Sequence, residues 1–251
     1  MISEDNTSSY PLYYGILVLI EIYHNMMLRM NGGKKVRYKS IIVLLISALV
    51  LVGCNGEQTE ELMYEHMEES VNLESDFVAQ QQPLSELERE EQAIYQEISE
   101  LNADEFDQIV ELADEAIESI NLRREHIETE LESIEASKDE FDKIIPLIDE
   151  LEDEAMQTVA NDMVDLMEER YQAYLTLHET YQTSLDYDVE LYEMLKDEDL
   201  EEPQFTEQIE RVNEQYQEII NVNLTFNETT EAFNEIKREF YDMTDLNITY
   251  Q

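Results

Sequence analysis

Cysteine occurs once in this chain, glycine five times and tryptophan never, and only 15 Lys and Arg stand against 61 Asp and Glu. The lone Cys54 excludes an intramolecular disulfide and a zinc ribbon. The glycines (Gly15, Gly32, Gly33, Gly53 and Gly56) all lie at or before position 56, so no Walker loop, GxGxxG turn or GxSxG elbow exists beyond it. From Glu57 to Gln251 the only strong chain-breakers are Pro83, Pro146 and Pro203. A β protein needs turn residues about every 8–12 positions, so that class is disfavoured. Net charge is −46 overall, and residues 54–251 alone hold 10 basic and 58 acidic side chains, a net of −48. Such a surface repels phosphate backbones and excludes nucleic acid as a partner.

What is present first is an address. Lys34, Lys35, Arg37 and Lys39 precede residues 41–52, a run that is apolar except for Ser47 and closes on Gly53-Cys54. A cationic stretch, a short apolar core and a small residue at the end form a secretory signal. The run is too short to cross a hydrocarbon core of about 30 Å as a permanent helix. Its end, Leu51-Val52-Gly53-Cys54, resembles a bacterial lipobox. The resemblance implies diacylglyceryl transfer to the Cys54 thiol and cleavage between Gly53 and Cys54, where the small Gly53 leaves room for a peptidase. Two or three acyl chains, each adding about 0.8 kcal/mol per buried CH₂, hold a protein stably on a membrane. The anchored side is then the extracytoplasmic face of the cytoplasmic membrane. Residues 12–23 form a weaker apolar stretch broken by Gly15 and Glu21, and a translation start at Met26, Met27 or Met30 is the favoured reading. The expected order is an N-terminal extension at 1–29 and a lipoprotein signal peptide at 30–53. Lipidated Cys54 and a polar spacer to 61, a helical bundle at 62–246 and a tail at 247–251 follow.

The mature part reads as long helices. Apolar residues recur in steps of four and three: Phe106, Val110, Ala113, Ile117, Ile120, then Arg124, then Ile127, Leu131 and Ile134. Met163, Met167, Tyr171, Tyr174, His178, Tyr181, Leu185, Asp188, Tyr192 and Leu195 form a second stripe. Val212, Tyr216, Ile219, Val222, Phe226, Thr230, Phe233, Ile236 and Phe240 form a third. Each stripe puts one seam along a helix, and flanking Leu166 and Leu177 widen it toward a bundle rather than a two-stranded coiled coil. Met63, Met67, Val71 and Val78 indicate a first helix, with Pro83 kinking or restarting it and Ser85–Glu88 as a capping box. Asn102–Glu105 is another box, Ser137–Glu140 competes with Pro146 for a further break, and residues 197–203 read as a hairpin loop. The spacing predicts an all-α, elongated, antiparallel up-and-down bundle of three or four helices, each of roughly 40–55 residues and about 60–80 Å long.

Catalytic and metal-binding patterns are sparse. A di-iron bundle needs Glu-x-x-His on two helices, but Met63, Arg123 and Leu175 stand three residues before His66, His126 and His178. Only Glu21–His24 matches, inside the extension. The run from His178 to Gln182 begins like a zinc-protease helix and lacks the second histidine, so His178 is expected to pack at a seam. No carboxylate pair is singled out for glycosidase chemistry among so many acids. The acids Asp197, Glu198, Asp199, Glu201 and Glu202 lack EF-hand spacing; a solvated loop is favoured over weak Ca²⁺ binding. Tyr171, Tyr174, Tyr181, Tyr187 and Tyr192 crowd one helix, where packing is favoured over stacking on sugars. The sequons at Asn6, Asn223, Asn227 and Asn247 are expected to stay idle, since a lipobox points to a bacterium. No catalytic residue, metal or cofactor is expected beyond the covalent diacylglycerol.

Several segments together resemble a known family. They are Pro83-Leu84, Leu87-Glu88, Glu91-Gln92 and Tyr95; Ser133-Ile134, Ser137-Lys138, Phe141 and Pro146; the run 168–174; the run 191–197; Val212-Asn213; and Glu239-Phe240-Tyr241. The pattern resembles the YkyA family of cell-wall-binding lipoproteins of Gram-positive bacteria, over most of residues 58–246 and the lipobox before them. The resemblance implies a lipid-anchored, all-helical, extracytoplasmic protein, and only Cys54 carries over as a functional residue. This chain departs in charge: where family members are rich in lysine, it has Glu and Asp, which repel anionic wall polymers unless cations bridge them.

The function expected is a non-enzymatic envelope lipoprotein binding peptidoglycan or an envelope protein. A divalent-cation-bridged module on anionic wall polymers is the alternative, and a wall-cleaving enzyme is disfavoured. The self-repulsion of −48 charges, screened by salt, is consistent with a saline or alkaline exterior. The melting midpoint of the full chain in nonionic detergent is therefore expected to rise from 20 mM to 500 mM NaCl; a midpoint indifferent to salt contradicts this.

Overall fold

The computed structural model describes residues 55–244 and 246. The signal segment, the lipobox residues Leu51 to Cys54, the extension and the tail at 247–251 lie outside the described residues. Among those described, there is no strand. Helix α1 spans Asn55–Leu73, taking in the stretch read as a spacer, and α2 spans Ser75–Glu100. Helix α3 spans Phe106–Phe141 and continues as a 3₁₀ helix over Asp142–Glu150; α4 spans Glu154–Met194 and α5 Glu202–Met243. With α1 and α2 in line, four long rods run up and down, and the 41 residues of α4 extend about 60 Å at 1.5 Å per residue. The α1–α2 rod packs on α3, α3 on α4, and α4 on α5.

The turns follow local chemistry. Asn102 ends the α2 linker as expected: its backbone N–H donates to Glu105 Oε2 at 3.0 Å. Asp153 caps α4, its Oδ1 accepting from the Ala155 N–H at 2.7 Å. Residues 195–201 form the expected hairpin loop, after which Pro203 sits in the first turn of α5. The break between Ser137 and Pro146 falls at Asp142. A continued α-helix would need an N–H from Pro146 on the Asp142 carbonyl, four residues back, and proline has none. The tighter 3₁₀ turn shifts the phase, so Ile144 rather than Ile145 is buried. Ser137 lies inside α3 and is no cap.

The first rod corrects the sequence reading at three points. Pro83 and the Ser85–Glu88 pair do not restart a helix; α2 runs through them. Val71 and Val78 face solvent, while Ser70 and Phe77 are buried in their place. The break comes at Glu74, where no proline or glycine stands. Its cause is Ser133 of α3. The Ser133 hydroxyl donates to the Leu73 carbonyl at 2.6 Å and accepts from the Phe77 N–H at 3.0 Å. Those two backbone groups would bond to each other in a continuous helix, so the serine is inserted into the i→i−4 ladder.

Three apolar clusters line the axis. One, at one end, joins Met63, Met67, Phe141, Ile144, Met163 and Phe240; another, at the opposite end, joins Leu84, Ile98, Ile120, Leu185 and Tyr192. Between them Phe77, Ile134, Tyr174 and Phe226 interlock, with Tyr174 and Phe226 rings edge-on at 5.5 Å. Replacing Ser133→Ala is expected to cost about 1–3 kcal/mol, because two buried backbone groups lose their partner. Urea unfolding of the full chain checks this, and an unchanged midpoint contradicts it.

Candidate functional site

Buried polar residues separate the three apolar clusters, and they lie on the seams. On α3, Arg123, Glu130 and Ser137 follow one another at seven-residue spacing, and all three are buried. On the first rod, Glu88, Gln81 and Glu74 are spaced by seven in the opposite direction. The two series face each other. Ser137 donates to Glu74 Oε1 at 2.9 Å, Gln81 Nε2 donates to Glu130 Oε1, and Arg123 is the strongest opposing charge acting on Glu88.

Two layers of this ladder touch every rod. In the first, Arg170 of α4 grips Glu74 with both terminal nitrogens, at 2.9 and 2.8 Å. Its Nε donates to Thr230 of α5 at 3.1 Å, while Ser137 closes the layer from α3. In the second, Arg123, only 1% exposed, pairs with Glu91 of α2 and stands 3.5 Å from Asp188 Oδ2 of α4. Tyr216 of α5 donates to that same Asp188 oxygen at 2.7 Å, and Tyr181 of α4 donates to Glu88 Oε1 at 2.7 Å. Three carboxyls, Asp188 buried and Glu88 and Glu91 half-buried, thus surround one guanidinium. Burial pushes all three upward against the pull of Arg123, and Glu91 reaches about 8.

A cavity of about 480 Å³ opens between these layers, within the about 300–1,000 Å³ typical of small-molecule sites. Helix α2 supplies one wall with Phe77, Gln81 and Glu88, and α3 the floor with Ile127 and Glu130. Helix α4 gives Tyr174, His178 and Tyr181, and α5 gives Ile219, Asn223 and Phe226. Arg89 stands at the rim, where its Nη2 donates to Ser85 at 2.9 Å. Glu130 is 7% exposed, and its carboxyl is raised to about 8 by burial first and then by the neighbouring charge of Glu88. His178 Nε2 is buried without a hydrogen bond, 3.5 Å from Glu128 Oε1.

The sequence-predicted residues distribute as follows. His178 packs at the seam as expected, its ring 6.4 Å from that of Tyr174. Tyr174 and Tyr192 are buried, and Tyr187 stacks under Arg211 at 4.3 Å. Asp197 is occupied in its own loop, Oδ1 accepting the Asp199 N–H at 3.0 Å. Among the described residues no group of three His, Cys, Asp or Glu side chains has metal-binding geometry. No described helix is long and apolar enough to cross a membrane. The reading from sequence missed Arg123, Glu130, Arg170 and Asn223. Each stands one residue from a position given to the seam: Arg124, Leu131, Tyr171 and Val222. The signal that finds Arg123 and Glu130 is the seven-residue spacing they share with Ser137, opposite Glu74, Gln81 and Glu88.

Glu130 also makes a stability statement. Its folded pKa lies above the ordinary carboxyl value of 4.5, so its stabilising share is full below that value and is lost as pH rises toward about 8. Glu130→Gln keeps an acceptor for Gln81 and cannot ionise. It is expected to exceed the wild type at pH 9 by on the order of 5 kcal/mol, from the rise of the Glu130 pKa from 4.5 to about 8 at about 1.4 kcal/mol per pKa unit, and to match it at pH 4. Urea titrations at the two pH values check this; an equal effect at both contradicts it.

Comparison with known proteins gives the arrangement its context. Residues 58–243 match the model of the YkyA family, described as "Putative cell-wall binding lipoprotein". The chain is 32% identical over 195 residues to "Uncharacterized lipoprotein YkyA" of Bacillus subtilis (strain 168), covering 78% of this chain and 87% of that protein. Its fold is similar to a Staphylococcus aureus crystal structure of "a Conserved Protein of Unknown Function", with TM-score 0.55, 9% identity, and coverage of 76% of this chain and 97% of the other. The match over most of the helical bundle, with identity sustained over nearly the whole of the Bacillus protein, makes this chain a member of the YkyA family.

Proposed function

We propose that the protein is anchored by lipid at Cys54 on the extracytoplasmic face of the cytoplasmic membrane. From there its helical bundle stands off the membrane and binds envelope material, with the cavity between α2, α4 and α5 as the recognition site. The observation that carries the reading is the juxtaposition in the sequence. A cationic stretch, an apolar run and Leu51-Val52-Gly53-Cys54 end four residues before a family match that begins at residue 58. The chain has no other thiol, so the acyl chains have one attachment point.

The charge supports a contact of a particular kind. A surface carrying −48 is repelled by anionic wall polymers, which leaves a neutral or cationic component as the partner. The cavity meets that need with aromatic walls and an acidic floor instead of a basic face. The reading is binding without turnover: the one hydroxyl–carboxyl pair lining the cavity, Tyr181 on Glu88, is tied into the Arg123 layer.

Metabolic labelling with an alkyne fatty acid is expected to mark the wild type, and Cys54→Ser is expected to abolish the mark and leave the signal segment uncleaved. Unlabelled wild-type protein contradicts the anchor. The wild type is also expected to sediment with purified cell wall, and protein that stays in the supernatant contradicts wall binding. Cleared peptidoglycan in a zymogram contradicts the non-enzymatic reading.

A further inference from the structure

Glu130 is a buried acid without a buried partner cation. Its one hydrogen-bonding neighbour is the neutral Gln81, and Arg123, which serves Glu91, Asp188 and Glu88, exerts no resolved pull on it. Burying a carboxyl in this way is costly unless a positive charge meets it. Asn223 stands on the opposite wall. It is 6% exposed and lines the cavity. An amide lining a cavity can offer a ligand both its oxygen as acceptor and its N–H groups as donors.

The cavity is also lined by rings. Phe77 and Tyr174 lie 5.8 Å apart edge to face, and Tyr181 holds Glu88 from the far side. Aromatic walls attract cations, and in a low-dielectric site such contacts are stronger than at a surface. The field of the whole molecule adds to this. A cleft within a body of strongly negative charge concentrates cations and repels anions. A primary ammonium offers three N–H donors, enough for the Glu130 carboxylate and the Asn223 amide oxygen together.

We propose that this cavity is a binding site for an aliphatic primary ammonium group, held by Glu130 and Asn223 with its apolar stem against Phe77 and Tyr174. The inference rests on the reading of the cavity as the recognition site and names the chemistry it selects. A wall component with a free amine is the form such a ligand takes in the envelope.

Saturation-transfer NMR on the full chain in nonionic detergent tests this, with n-butylammonium chloride and n-butanol as probes at pH 9, where Glu130 is ionised and the ammonium keeps its charge. The expected result is saturable binding of the ammonium, at least tenfold weaker binding of the alcohol, and at least a tenfold loss of ammonium affinity in Glu130→Gln. Equal binding of the two probes, or ammonium binding unchanged in Glu130→Gln, overturns the proposal; the second result is what adsorption on the acidic exterior gives. Asn223→Leu is expected to weaken the ammonium and leave the alcohol unchanged, and a variant that weakens neither overturns the role of the amide. The proposal and the wall-binding reading fail separately: amine binding without wall sedimentation removes the envelope partner, and sedimentation without amine binding removes the ammonium.

Discussion

The structure turns on a charge that has no water. Arg123 lies between α2, α4 and α5, and the three carboxyls of Glu88, Glu91 and Asp188 gather around it. Such a group is a poor source of net stability, because desolvation offsets most of the Coulomb attraction. Its consequence is positional. The four rods carry repeating apolar seams that would pack almost as well after a slip of one heptad. A slip of α3 against the first rod by seven residues would move Arg123 away from Glu91 and Ser137 away from Glu74, leaving buried charges without partners. The polar ladder therefore fixes the antiparallel register that hydrophobic packing alone leaves degenerate.

The same device makes room for a site. A core of leucine and phenylalanine would close on itself, whereas the layers at Arg170 and Arg123 hold the rods at a set spacing. Between them the side chains of α2 and α5 do not fill the space, and a cavity with an acidic floor results. Glu88 belongs to both features, bonded to Tyr181 in the Arg123 layer and lining the cavity beyond. The kink at Glu74 is part of this geometry too. Ser133 opens the helix there, and the freed turn delivers the Glu74 carboxylate to Arg170. Packing, backbone geometry and the candidate site are three consequences of polar residues on seam positions.

Much of this was legible in the sequence, and the failures trace to partners on neighbouring helices. The all-α class, the bundle, the Asn102 turn and the 197–203 hairpin follow from glycine absence, 4,3 periodicity and capping chemistry. The buried faces were half right. A reading led by the apolar residues takes Arg124 for Arg123, Leu131 for Glu130, Val71 for Ser70 and Val222 for Asn223. Each choice is correct for an isolated amphipathic helix and wrong for one whose neighbours supply partners. The Glu74 break was invisible locally because its cause, Ser133, lies on another helix. Pro83 misled for the opposite reason: its helix is held by tertiary packing strongly enough to run through it.

The central claim is that Arg123 is held by its carboxyls and holds the rods in place. The most direct test is urea unfolding of Arg123→Met in the full chain at pH 7 and pH 4. Removing one partner of a buried ion cluster costs about 3–5 kcal/mol. Here the cost arises from carboxyls left without their cation, so the loss at pH 7 should shrink at pH 4, where Glu88 and Asp188, both pushed upward by burial, are more fully protonated. Glu91, raised to about 8, is already mostly protonated at pH 7. A loss below about 1 kcal/mol at pH 7, or one of the same size at both pH values, would contradict the account.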